Sequence, residues 1–209
     1  MDGYVSFYSK TDLKKKEEAN KLLTKKGISK KLNLEKQLIK IKRKYWIKVE
    51  KNIYIYEDSQ LNSLGFLWHR YSWYFFNRTE KYFVALSNSL INNYSEEALL
   101  TVLCHELNHV KESSSSFILN MIEIFFGDLV HKFFHRWIEL NCDIFSFKVI
   151  EKEYWEDYAL KGKGDFFWSF NLQKKHNTLL KKSKRTHPLD TTRMFVKEIT
   201  IKNILNGFL

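Results

Sequence analysis

The sequence predicts an α+β fold, and three observations carry that prediction. Residues 11–44 show Leu and Ile at three- and four-residue spacing among charges, residues 52–86 hold β-branched and aromatic runs, and from residue 95 onward the pattern is helical. Strands grouped ahead of helices predict a small sheet with helices segregated from it. At 209 residues, 44% hydrophobic and 16% aromatic, the chain is long enough to bury a core.

Taken in order, residues 11–26 read as a helix, which Gly27 is expected to break, and Asn33 reads as the cap of a second helix over 34–44. "NIYIYE" (52–57) and "KYFVAL" (81–86) read as strands. "GFLWHRYSWYFF" (65–76) supplies another before the turn-like "NRTE" (77–80). Ser95 is placed to cap the next helix, with Glu96 and Glu97 in the first turn where the helix dipole favours acids, and Ala98, Leu99, Val102 and Leu103 following. "SSSS" (113–116) marks a loop after it, and Pro188 is placed to begin a C-terminal helix. "DFFWSF" (165–170) reads as core or rim loop, and residues 174–184 as a solvated basic run.

The net charge of +11 is uneven. Between Lys10 and Lys51 there are 16 Lys and Arg against five Asp and Glu, an excess equal to that of the whole chain. Such a face could attract an anionic partner, nucleic acid or anionic lipid. It equally fits a solvated amphipathic helix surface. No run approaches the roughly 18 apolar residues of a membrane span. The richest stretch, residues 117–130, is interrupted by Glu123 and Asp128. With two cysteines and no secretory-type leader, the chain is expected to be soluble and cytoplasmic, its thiols reduced.

The chemistry concentrates in "TVLCHELNHV" (101–110). Residues four apart share a helix face, so His105 and His109 can present ring nitrogens to one ion, while Glu106 lies about 100° around the helix. Zinc held in this way lowers the pKa of its bound water to about 7, and Glu106 can take the proton as that water attacks a carbonyl. A third ligand is needed, and "HKFFHRWIELNCDIF" (131–145) offers two arrangements. His131, His135 and Glu139 could line one face as a rival site, or Glu139 alone could join His105 and His109. In the second arrangement Asp143, one turn on, could accept the free ring N–H of a ligating histidine.

"NSLGF" (62–66), "YFVALSNSLI" (82–91) leading into "SEEALLTVLCHELNHV" (95–110), "ELNCDIFS" (139–146) and "THPLDTTRM" (186–194) together resemble the HtpX-like and CAAX-prenyl-endopeptidase family of gluzincin metallopeptidases. The resemblance runs from about Tyr45 to the C-terminus. It implies a zincin-like domain over 45–209 behind a basic helical extension over 1–44, with a small twisted sheet packed on an active-site helix and a glutamate helix. It implies one zinc per chain held by His105, His109 and Glu139, with Glu106 as general base and acid and Asp143 as partner to a ligand. His187 and Arg193 would approach from the far side, to steady the oxyanion or anchor the zinc-binding helices. The strand at 82–86 would form the cleft edge on which a polypeptide substrate pairs.

The chain also departs from the family. Only residues 110–138 separate the second histidine from the glutamate where many members place membrane helices, and Cys104, Asn108 and Cys142 stand where small residues are usual. Both cysteines are expected to be packed and unbonded. The activity implied is a zinc metalloendopeptidase. The alternative from another class is a catalytically idle zincin scaffold that carries the basic segment to nucleic acid or an anionic surface.

Overall fold

The computed structural model describes residues 20–56, 65–74, 77–111, 128–174 and 193. The expected helix over 11–26 lies outside this set up to residue 19, as do the serine run at 113–116, His187 and Pro188. The elements are α1 (Lys25–Lys44), β1 (Ile53–Tyr56), β2 (Gly65–Tyr74), β3 (Asn77–Ser87), α2 (Asn88–Asn93), α3 (Glu96–Lys111), α4 (Asp128–Glu153) and α5 (Glu156–Lys174). The α+β prediction holds: among the described residues three strands form one sheet in the order β1-β3-β2, and α1, α2 and α3 pack on its strands.

Gly27 does not break the first helix. Thr24 caps α1, its Oγ1 accepting from the Gly27 N–H at 2.9 Å, so the cap lies nine residues ahead of the one expected at Asn33. The glycine serves a close approach instead. A Cβ there would stand 2.4 Å from Asn92 Oδ1, and the Asn92 amide ties α2 to this end of α1 by accepting from the Thr24 N–H at 3.0 Å. At the other end Trp46 adopts φ 56°, and the Ile47 N–H returns to the Lys42 carbonyl at 2.9 Å, which closes the helix in a left-handed cap.

The basic helix is only partly a solvated surface. Lys25, Lys26, Lys36, Lys40, Arg43 and Lys44 are exposed, but Lys30 is buried and its ammonium donates to the carbonyls of Ile91, Asn92 and Tyr94, capping α2. Leu34, Leu38 and Ile41 join the main core beside Leu90, Leu99 and Leu103. Lys40 and Lys44 both pair with Glu153 at the end of α4. These two ammonium groups hold Glu153 below the ordinary carboxylate range. A depressed folded pKa stabilises above the unfolded value, and the benefit is lost as pH falls through the folded one. Glu153→Gln is therefore expected to lower stability slightly at neutral pH, with the gap to wild type closing below the ordinary glutamate pKa of about 4.3. Denaturant unfolding at a series of pH values measures this, and a gap constant with pH would mean the ion pairs do not contribute.

β3 is the central strand rather than the expected cleft edge. It pairs in parallel with β1, Ile53 opposite Val84, and antiparallel with β2, from Gly65 opposite Leu86 to Tyr74 opposite Asn77. Tyr82, Phe83, Val84, Ala85 and Leu86 are all buried, the continuous apolar run of a strand covered on both faces. "NRTE" accordingly begins β3 instead of forming a turn, with Asn77 paired to Tyr74 at the end of β2.

α3 is buried nearly all round, from Ala98 to Val110, because α1, α4, α5, β2 and β3 all pack on it. "DFFWSF" lies within α5, not in a loop. α5 comes so close that a Cβ on Gly162 would stand 2.5 Å from both the Glu97 carbonyl oxygen and Thr101 Oγ1. A helix carbonyl cannot rotate away, so Gly162→Ala is expected to cost about 1–3 kcal/mol of stability. Chemical denaturation of that variant checks the α3–α5 packing, which an unchanged midpoint would contradict. Among the described residues, no helix is long and apolar enough to cross a membrane.

Candidate metal centre

Ser95 caps α3 as expected, its Oγ accepting from the Ala98 N–H at 3.2 Å and donating to Asp165 at 2.7 Å. That start places His105 and His109 one turn apart on a face turned toward α4. On α4, Glu139, Cys142, Asp143 and Ser146 fall at intervals of three, one and three, which puts all four on a single stripe.

The two stripes meet in antiparallel register. Ser146 Oγ donates to the Thr101 carbonyl at 2.8 Å. Asp143 Oδ1 lies 2.9 Å from His105 Nδ1, Asn108 Nδ2 donates to Cys142 Sγ at 3.4 Å, and Glu139 reaches both histidines. Ascending α3 therefore descends α4, and the carboxylate arrives opposite the His105–His109 turn.

The distances bear on whether these groups suit a metal. His105 Nε2 and His109 Nε2 are 3.1 Å apart, and Glu139 places one oxygen 3.3 Å from the first and the other 3.4 Å from the second. A tetrahedral zinc with bonds of about 2.0–2.1 Å separates its ligand atoms by roughly 3.3 Å. His105, Glu139 and Asp143 are buried, whereas Glu106 and His109 keep part of their surface in solvent. The donor set, two imidazoles and a carboxylate with a thiol beside them, thus fits a zinc-type ion in spacing and chemistry. A second group of ligand-capable atoms, His105, His109 and Cys142, lies mutually within 4.8 Å. It does not include His135, and the side chain of His131 lies outside the described set.

Electrostatics reinforce the grouping. Burial pushes both histidines toward the neutral form, but the charges around them win. Asp143 and Glu139 raise His105, and Cys142 and Glu139 raise His109. Raised in this way, the imidazoles favour protons, so metal uptake competes with protonation and weakens as pH falls. Burial raises the Glu106 carboxyl, and the charges of His109 and His105 pull it back only in part, which leaves it above the ordinary carboxylate range. Asp143 would also be raised by burial, but the Arg193 and His105 charges hold it down at about 2.

Arg193 lies at the cluster, and its guanidinium grips Asp143. Nε donates to Oδ2 at 2.7 Å and Nη2 to Oδ1 at 3.1 Å, while Nη2 is 3.4 Å from Glu139. Behind it, the buried Lys163 donates to the Arg193 carbonyl at 3.1 Å. Sequence reasoning did not single out Lys163, which has no motif around it. Cys142 was legible three after Glu139 on the same face, and was expected to pack unbonded where the two helices converge.

Two buried helices thus bring imidazoles and a carboxylate to one point, a donor set that could hold a metal ion. Residues 71–127, which carry part of β2, β3, α2 and all of α3, match the model of Peptidase family M48. No curated protein and no solved structure gives a significant match to the chain.

Proposed function

We propose that the protein is a zinc-dependent metalloendopeptidase with a zincin-like active site, in which His105, His109 and Glu139 hold one zinc and Glu106 moves the proton. The observation that carries this reading is the Glu139 carboxylate lying 3.3 and 3.4 Å from the two imidazoles of the H-E-x-x-H helix, with Glu106 on the turn between them. Bound there, zinc supplies a Lewis acid that lowers the pKa of a water and polarises a carbonyl.

The chain's own residues do the rest. Glu106, its pKa raised by burial, accepts a proton from the attacking water and returns it to the leaving amine, since a base shifted toward neutrality serves both halves of the transfer. Asp143 accepts the Nδ1–H of His105, which turns Nε2 toward the other ligands, and Arg193 holds Asp143 in place. Of the two far-side residues, Arg193 thus takes the anchoring role, while His187 lies outside the described residues. Because β3 is paired on both sides, the edge offered to an extended polypeptide is that of β2, the outer strand that packs on α3.

The test is metal analysis of the purified chain with digestion of an unfolded polypeptide, with and without a chelator. About one zinc per chain and digestion that stops on chelation are expected. Chelator-insensitive cleavage would overturn the reading.

A further inference from the structure

We propose that Cys142 is a fourth, displaceable ligand of this metal centre, its thiolate closing the tetrahedron in the resting protein and yielding its place when substrate enters. The proposal rests on the reading of His105, His109 and Glu139 as ligands and adds a donor to it.

Three observations carry it. Cys142 is fully buried, and its Sγ lies within 4.8 Å of a ring nitrogen of both His105 and His109. A tetrahedral zinc with one sulfur at about 2.3 Å and nitrogens at 2.0–2.1 Å needs an N···S separation of roughly 3.6 Å, inside the 4.8 Å bound. Cys142 also stands on the same helix face as Glu139, so two helices bring four donors to one place.

The third observation is Asn108. It is 1% exposed, and its Nδ2 donates to the sulfur at 3.4 Å. A buried amide aimed at sulfur is the support a ligating thiolate requires, because it offsets the charge and fixes the direction of the lone pair. The two positions in contact, 108 and 142, are both ones where small residues are usual in the resembled family. A polar side chain has entered opposite a sulfur, where two apolar residues would have packed more simply.

The consequences differ from those of a packed thiol. A four-donor set binds zinc more tightly than three and leaves no position for water until one donor departs. Sulfur is the one that can leave, because Glu139 reaches both histidines with its two oxygens while the thiol presents one donor atom.

Cobalt(II) substituted for zinc in the full chain tests this directly, since a thiolate ligand gives an intense near-ultraviolet sulfur-to-cobalt absorption that imidazole and carboxylate do not. The wild type is expected to show that band, Cys104→Ser to keep it and Cys142→Ser to lose it. Zinc affinity, read by chelator competition, should fall in Asn108→Ala by about 10–100-fold and in Cys142→Ser by at least as much. Cobalt bound without the band in the wild type would overturn the proposal while leaving the three-ligand centre intact. The band persisting in Cys142→Ser would overturn it too, and no cobalt bound at all would bring down the metal centre itself. The wild-type spectrum decides even where a variant fails to fold.

Discussion

Glu106→Gln is expected to bind zinc as the wild type does and to hydrolyse an unfolded polypeptide about a hundred- to ten-thousandfold more slowly, the range a positioned proton-transfer group contributes. The amide keeps the shape and the hydrogen-bonding reach of the carboxylate but cannot accept a proton from water. Because burial already disfavours the charged form at this position, the neutral replacement should cost the fold little. The measurement is zinc per chain alongside the initial rate of digestion. Full zinc with an unchanged rate would remove Glu106 from the chemistry.

The second large effect separates the two arrangements that "HKFFHRWIEL" (131–140) leaves open. His105→Ala is expected to lose zinc, Glu139→Ala to bind it far more weakly, and His135→Ala to retain it. His105 and Glu139 lie in the 3.1–3.4 Å cluster, whereas His135 is outside the group of ligand-capable atoms that the structure brings together. Removing a ligand costs metal affinity directly, while replacing a partly buried helix residue costs a few kcal/mol of stability at most. Zinc content of the three variants under identical conditions decides it, and zinc kept in His105→Ala but lost in His135→Ala would reverse the assignment of the centre.

These two experiments bear on different links of the same chain of cause. The ligand series asks whether α3 and α4 deliver their donors to one ion. The glutamine variant asks whether the ion and the carboxylate then do chemistry together. Arg193 and Lys163 stand behind both, because Asp143 can orient His105 only while the guanidinium grips it, and Lys163 holds the backbone carbonyl of that arginine. The centre is thus built in layers, from the amine of α5 through arginine and aspartate to the imidazole.

What could be read in the sequence was local. The cap at Ser95, the acidic first turn of α3, the four-residue spacing of His105 and His109 and the stripe of Glu139, Cys142, Asp143 and Ser146 follow from helix geometry alone, and each is found on its helix. The strands at 53–56 and 65–74 were legible for the same reason, from β-branched and aromatic runs between breaks. Gly27 was misread because a glycine's missing side chain looks the same whether it ends a helix or admits Asn92, and only the second helix distinguishes the two. "NRTE" begins a strand instead of a turn, and "DFFWSF" falls on a helix and not on a rim loop, because short apolar or polar runs carry no period of their own.

Pairing and convergence were decided by tertiary structure. β3 became the central strand because β1 joins it in parallel across an intervening hairpin, a contact between distant segments that no local pattern encodes, although the unbroken apolar run at 82–86 hinted at burial on both faces. Likewise, helix periodicity placed Cys142 and Asn108 on their own helices, but only the antiparallel register of α3 and α4 set the amide against the sulfur and both beside the histidines. A helix's repeat is a property of its own backbone and is written in spacing. The register between two helices depends on which side chains interlock along the whole seam, here Thr101 with Ser146 through to His109 with Glu139, and it exists only once both are folded together.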